Sequence, residues 1–407
     1  MAVALADLSQ SPADAPLCNS VKRRLAMTRK HLFLLGGYGN TGLPLARLLL
    51  AHTDCSLTLA GRNLEKARQT AEHLNAAGGG GRVHAARADA ADFPSLLAAF
   101  QGADMVVVAS STAEFAENVI RAALESGADY LDVQYATAKM HILQARAAQI
   151  EQADRCFITD GGFHPGLPAA MVRLSASQFD RLESANVGSV IKIDWGSLDL
   201  SPATMQEFVA EFMSFQTLHF KDGRWQTMST LAMMFPRWMD FGSAFGRQYC
   251  LPMFLEEMRR LPEMYPSLRE TGFFVGGFNW FVDWLLSPLI LLTLRLFPKK
   301  GLPPLSKWMF WGLKTFSRPP YGTMLKLEAK GIRKGAPHTA EMTIAHPDGY
   351  MLTAIPAAAC LAQYLDGGIR KPGVWLQAHI VEPRRFFHDM QRMGATIQMS
   401  GLDILTE

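Results

Sequence analysis

The sequence has little with which to cross-link itself. Its five cysteines, Cys18, Cys55, Cys156, Cys250 and Cys360, are odd in number, widely spaced and without a C-x-x-C pair. That argues against a disulfide framework or a zinc site and fits a reducing, cytoplasmic compartment. Charge is scarce too: 19% of the 407 residues are Asp, Glu, Lys or Arg, against ~25% in ordinary domains. With 40 basic and 37 acidic residues the net charge is only +3, which excludes a nucleic-acid binder driven by bulk charge. Residues 1–27 hold no continuous apolar run, and Asp7 and Asp14 interrupt them. A secretory signal is not expected; the segment reads as a disordered leader, or as an early start ahead of Met27. There is no internal repeat, heptad array or low-complexity tract; Gly78-Gly-Gly-Gly81 is a flexible turn. What is plentiful is bulky apolar side chain: 21 Met, 24 Phe and 8 Trp.

From residue 28 onward the chain alternates short apolar runs with helical patterns. His31-Leu-Phe-Leu-Leu35, Ser56-Leu-Thr-Leu-Ala60, Arg82-Val-His-Ala-Ala86, Met105-Val-Val-Val-Ala109, Tyr130-Leu-Asp-Val133 and Cys156-Phe-Ile-Thr159 read as six strands. Helical spacing separates them. This rhythm predicts right-handed βαβ units and a doubly wound parallel sheet.

The loop after the first strand carries the chemistry. Gly36-Gly-Tyr-Gly-Asn-Thr-Gly42 contains Gly37-x-Gly39-x-x-Gly42, the dinucleotide fingerprint, with Tyr38, Asn40 and Thr41 in the same loop. Its context is the required one, because a strand precedes it and a helix comes after. Glycines allow the tight turn and close approach to a pyrophosphate, which then sits on the helix N-terminus. The end of strand two selects the cofactor. An NAD enzyme places Asp or Glu there for the ribose 2′-hydroxyl. This chain has Ala60-Gly-Arg62-Asn63 instead, and a guanidinium fork matches the 2′-phosphate of NADP(H).

These residues resemble the NADP-binding domain of the saccharopine dehydrogenase-like family. The resemblance rests on the glycine loop, Leu59-Ala-Gly-Arg-Asn63, Asp89-Ala-Ala-Asp92, Gly102-Ala-Asp104 and Gly127-Ala-Asp-Tyr-Leu-Asp132. Gly161-Gly-Phe-His-Pro-Gly-Leu-Pro168 is similar to that family's junction into its second domain. The likeness is good over 28–175, loose over 320–400 and poor over 230–320. It implies hydride transfer with NADPH, to C=N bonds of amino-acid or polyamine conjugates or, in lipid-directed members such as trans-acting enoyl reductases, to C=C bonds. It further implies that Asp89 lies beside the adenine and that Ser110 and Ser111 line the nicotinamide side. Ser110-Ser-Thr-Ala113 departs from relatives with a Gly-Pro stretch in that place.

Other residues offer acid–base chemistry. Tyr135-Ala-Thr-Ala-Lys139 fits the Y-x-x-x-K pair of short-chain dehydrogenases, in which Lys lowers the phenol pKa and Tyr protonates the substrate. Against it, Tyr135 comes directly after strand five, where that chemistry wants a Tyr inside a long helix. His164, before Pro165-Gly166 at a strand exit, is either a proton donor or a hydrogen-bonded loop residue. Asp132 either binds substrate or caps the next helix.

Beyond residue 160 the pattern changes. Ala185 to Asp194 reads as a strand, Thr323–Gly331 and Thr339–Ala345 as a hairpin, and Val374–Val381 as a further strand of the same domain. Leu352–Leu365 and Pro383–Met393 are helical. The region 230–320 holds Trp238, Trp280, Trp284, Trp308 and Trp311, and from Phe273 to Phe297 the only charges are Asp283 and Arg295. Their 11-residue uncharged interval is too short to span ~30 Å of hydrocarbon. With Lys299, Lys300, Lys307 and Lys314 alongside, 273–316 is expected to contact a membrane peripherally, or else to form a dimer interface or a buried helical subdomain, or, over the longer window that Asp283 and Pro288 interrupt, to span the membrane.

The expected fold is thus α/β, a Rossmann doubly wound parallel sheet over 28–160. It is joined to an α+β substrate and dimerisation domain over 161–407, interrupted by an apolar helical insertion at 230–320. The expected function is an NADP-dependent oxidoreductase of an apolar or lipid-linked small molecule. The alternatives are a non-catalytic NADP-binding scaffold on a membrane and an atypical short-chain dehydrogenase using Tyr135 and Lys139.

Overall fold

The computed structural model describes residues 29–134, 137–197, 216–228, 237–287, 289–290, 293 and 302–403. The leader read at 1–27 lies outside them. Six strands, β1 (His31–Leu35), β2 (Ser56–Gly61), β3 (Val83–Arg87), β4 (Met105–Val108), β5 (Asp129–Asp132) and β6 (Cys156–Thr159), alternate with five helices. These are α1 (Gly42–His52), α2 (Leu64–Leu74), α3 (Phe93–Phe100), α4 (Ala116–Glu125) and α5 (Thr137–Gln152). All strand pairs are parallel, in the order β3-β2-β1-β4-β5-β6. The order reverses between β1 and β4, which makes the carboxyl ends of those two strands the switch point at which α/β folds bind ligands. Every residue of β4 is buried, because helices cover both faces of a parallel sheet. Helix starts obey local chemistry. Asn63 caps α2 by accepting from Lys66 N at 2.9 Å, and Asp92 caps α3, which has Pro94 in its first turn.

The chain then enters α6 (Pro168–Ala176) and a second sheet of nine strands. Its members are β7 (Arg181–Lys192), β8 (Leu218–Lys221), β9 (Arg224–Thr227), β10 (Arg237–Asp240), β11 (Arg247–Pro252), β12 (Glu270–Gly276), β13 (Gly322–Arg333), β14 (Ala336–His346) and, near the end, β16 (Thr396–Ser400). The helices here are α7 (Leu302–Phe316), α8 (Gly349–Leu365) and α9 (Pro383–Arg392). The long β7, β13 and β14 form the spine, in the order β10-β11-β12-β7-β13-β14-β16. A single apolar cluster joins the two halves: Leu32 and Leu45 of the first share it with Leu325, Met342, Ile355 and Phe386 of the second.

Two expectations are corrected. The strand read after residue 370, β15 (Gly373–Leu376), does not belong to the second sheet. It pairs in parallel with β6 and completes the first sheet as its seventh strand. The reason is a buried anchor at the start of β5. Asp129 accepts from Tyr364 Oη at 2.6 Å and from Arg370 Nε at 3.0 Å, which brings the chain after α8 to that sheet edge. The region 230–320 is likewise not a helical insertion throughout, since β10, β11 and β12 lie within it. Phe273 and Phe274 are buried in β12, which runs parallel to β7 and makes the sheet mixed. The helical part begins after Gly276. Among the described residues no helix is long and apolar enough to cross a membrane.

Candidate functional site

The glycine loop connects β1 to α1 at the switch point. Gly36 takes a positive φ of 85°, and its N–H donates to Ala60 O at 2.8 Å. At Gly42 a Cβ would lie 2.1 Å from Gly36 O, so only glycine permits the turn to close on itself. No acidic residue lies in the first turn of α1 and no side chain caps it. Leu43 N is taken by Gly39 O at 3.0 Å and Pro44 has no N–H, so what the helix start offers a pyrophosphate is its positive dipole end and the glycine turn before it.

The end of β2 builds the second part of the site. Tyr38 lies against Gly61, and its hydroxyl accepts from Asn63 N at 3.0 Å. Arg62 is exposed beside it, and Lys66 places Nζ 5.5 Å from the Tyr38 ring. Lys66 thus flanks the phenol and Arg62 is exposed at the same strand end, without an acid in the position that would hold a 2′-hydroxyl. Asp89, at the exit of β3, receives Ala91 N at 3.1 Å and is half-buried. Ser110 and Ser111 come just after β4. The Ser110 hydroxyl meets Thr112 Oγ1 at 3.0 Å, and Gln134 Nε2 donates to Ser110 O at 2.5 Å. The structure therefore brings Gly37, Tyr38, Gly39, Asn40, Thr41, Gly42, Arg62 and Asn63 to one edge of the sheet, with Asp89, Ser110 and Ser111 on the neighbouring strand exits. Lys66 is the cation that motif reading passed over, although a lysine one turn into α2 is visible in the sequence.

The acid–base candidates are placed differently. Tyr135 lies outside the described residues. Lys139 is fully buried, and its Nζ donates to Asp132 Oδ1 at 2.6 Å, to Asp160 Oδ1 at 3.1 Å and to Gln134 O. Burial lowers the pKa of this ammonium, but the Asp132 and Asp160 carboxylates more than offset it and hold the group above its ordinary value. Asp132 also receives Thr159 Oγ1 at 2.7 Å and Gln134 N at 3.1 Å. Asp132 and Lys139 are thus a buried ion pair tying β5 to β6, rather than an open substrate ligand and an exposed phenol-activating lysine.

His164 stands in the turn after β6. Its ring lies tilted against Phe163 at 4.0 Å between ring centres and 5.5 Å from Phe273, and neither ring nitrogen has a partner. Desolvation pulls its pKa down to about 4, so it is neutral at pH 7. Packed on the same turn is Glu257, which no motif announces. It is fully buried. Its Oε1 accepts Gly166 N at 3.0 Å, and its Oε2 has no partner. Burial raises its pKa to about 8, so the carboxyl is largely protonated at neutral pH. Gln377 bridges the turn through Nε2 to Gly162 O at 3.1 Å, and its Oε1 is also unpartnered.

A doubly wound parallel sheet with a glycine loop, an open helix N-terminus and cations at the second strand defines an NADP-binding Rossmann domain. Residues 32–156 match the family described as saccharopine dehydrogenase NADP binding domain. That match covers the nucleotide-binding domain of this chain and not the second sheet. The saccharopine dehydrogenase (L-Glu forming) of Saccharomyces cerevisiae superposes with a TM-score of 0.63 at 15% identity, over 91% of this chain and 99% of that one. At such identity the likeness is one of fold. A myo-inositol dehydrogenase from Corynebacterium glutamicum matches with a TM-score of 0.44 at 12% identity, over 90% of this chain and 94% of its own. So loose a match carries no further weight. A search of curated proteins gave no match.

Proposed function

We propose that the protein is an NADPH-dependent oxidoreductase that reduces a C=N or C=C bond of an apolar or lipid-linked small molecule. Bound NADPH would supply the hydride. The chain's own residues bind, orient and protonate. The α1 N-terminus would receive the pyrophosphate, Arg62 and Lys66 would hold the 2′-phosphate, and Asp89 would lie on the adenine side. The observation that carries the reading is the polar turn at 161–166, on the carboxyl edge of the same sheet. It keeps a protonated acid, Glu257, and an unpartnered imidazole, His164, out of water. A reduction needs a proton as well as a hydride, and a carboxylic acid with a pKa near 8 suits that task at neutral pH. After giving up the proton, Glu257 keeps the Gly166 N–H as a partner for its charge.

The test is single-turnover oxidation of NADPH on mixing with an apolar extract of cells. Consumption by the native protein, lowered about 100-fold or more in Glu257→Gln, supports both the reaction and the acid. Binding with no consumption in any fraction leaves the non-catalytic NADP-binding scaffold in its place.

A further inference from the structure

We infer that the exposed aromatic face formed by residues 280–287 and α7 docks on an anionic lipid surface. Val282–Leu286 and α7 pack together over a small apolar core, built from Val282, Leu286, Leu305, Met309 and Leu313 together with Trp195 from just beyond the end of β7. With that core filled, the bulky residues left outside are surplus to folding. Trp280, Trp284, Trp308 and Trp311 are exposed by 59%, 52%, 57% and 56%, and Leu285 by 55%. Soluble surfaces rarely carry such a cluster without an occupant.

The rings are gathered rather than scattered. Trp280 and Trp311 both pack on Phe316, at 5.4 and 5.8 Å between ring centres. Trp284 packs on Tyr249 at 5.2 Å, and Trp238, itself 53% exposed, meets the same Tyr249 at 6.1 Å. On α7 the exposed positions run Lys307, Trp308, Trp311, Lys314, so ammonium groups and indoles share one stripe. The charge of this stretch of sequence is one-sided: Arg295, Lys299, Lys300, Lys307, Lys314 and Arg318 against a single acid, Asp283. Asp283 is no counter-charge at the surface, because it is spent inward, on Phe278 N at 3.0 Å. At the end of α7, beside Phe316, a cavity of about 170 Å³ is lined by Lys192, Trp195, Arg318 and Tyr321.

Indoles at the edge of an apolar face with lysines interleaved suit the headgroup layer of a bilayer, where rings lie at the boundary and ammonium groups meet phosphate. A second copy of the chain fits worse. Lysine is depleted from protein interfaces, and a two-fold contact would set this basic segment against itself. The inference does not depend on the reaction proposed above.

The experiment is flotation of the full chain with vesicles of phosphatidylcholine mixed with phosphatidylglycerol, beside vesicles of phosphatidylcholine alone. Mass in solution is read by light scattering. Expected are binding to the anionic vesicles, a blue shift of tryptophan emission on binding, and about a tenfold or greater loss of affinity in Trp308→Ala/Trp311→Ala and in Lys307→Glu. NADPH binding, unchanged in both variants, shows that they fold. Absence of flotation with anionic vesicles would overturn the inference. So would a solution dimer that Trp308→Ala/Trp311→Ala dissociates, since a second copy would then cover the face.

Discussion

At the end of β2, where a carboxylate would claim a ribose 2′-hydroxyl, the chain places Arg62, with Lys66 one turn later beside the Tyr38 ring. Charged hydrogen bonds to a phosphate contribute about 1.5–3 kcal/mol. Arg62→Ala is therefore expected to weaken NADPH binding about tenfold or more and to leave NADH binding nearly unchanged. Calorimetric titration of both cofactors checks this, and equal losses would remove the argument. Arg62 is legible in the sequence because it fills a fixed place after a recognisable loop. Glu257 is not, because it belongs to no motif and owes its properties to burial against the 161–166 turn. Its folded pKa of about 8 lies above the ordinary carboxyl value of 4.5. Between those values the folded state binds more protons than the unfolded one, so this group's contribution to stability is present at pH 4.5 and lost as pH rises to about 8. His164 acts in the opposite sense below pH 6.5, as its folded value is about 4. Urea midpoints should fall from about pH 6.5 to about pH 8 in the native chain, and fall less in Glu257→Gln. Parallel pH profiles would deny Glu257 its raised value.

At the scale of elements, β1 to β6 are legible because each is a short, largely apolar segment set between helical patterns. The sheet to which β15 belongs is not, for a physical reason: Gly-Val-Trp-Leu looks the same in either sheet, and its place is set by contacts between residues far apart in the chain. Those contacts converge on Asp129, which is buried and bonded to Tyr364, Arg370 and Cys156 N. Removing one side of such a buried charge cluster costs about 3 kcal/mol or more. Asp129→Ala should lower the unfolding free energy from urea titration by that measure and raise hydrogen exchange in β15 and β6 ahead of β1. Tyr364→Phe removes only one hydrogen bond, and a smaller loss of about 1–2 kcal/mol is expected. The strands β10 to β12 are hidden by composition. Phe273 and Phe274 run on into an aromatic helical stretch, and periodicity alone does not mark where a buried strand ends and a buried helix begins.

For the whole molecule, the two halves meet through one apolar cluster and a polar turn. The first sheet presents its strand exits, and α6 leads from the turn directly into the second sheet. This places the cofactor loop, the buried Asp132–Lys139–Asp160 group and the Glu257–His164 turn along one edge. The surplus of aromatic residues divides in two. Some of it, as in β12, builds the second sheet, and some is exposed to solvent at Trp280, Trp284, Trp308 and Trp311. The central claim is that the edge transfers hydride, and NADPH deuterated at C4 tests it most directly. Incubated with an apolar extract and the native protein, it should yield an organic product carrying the deuterium, with the Glu257→Gln protein giving far less. Recovery of the deuterated NADPH unchanged from its complex with the protein, across all fractions, would contradict the account.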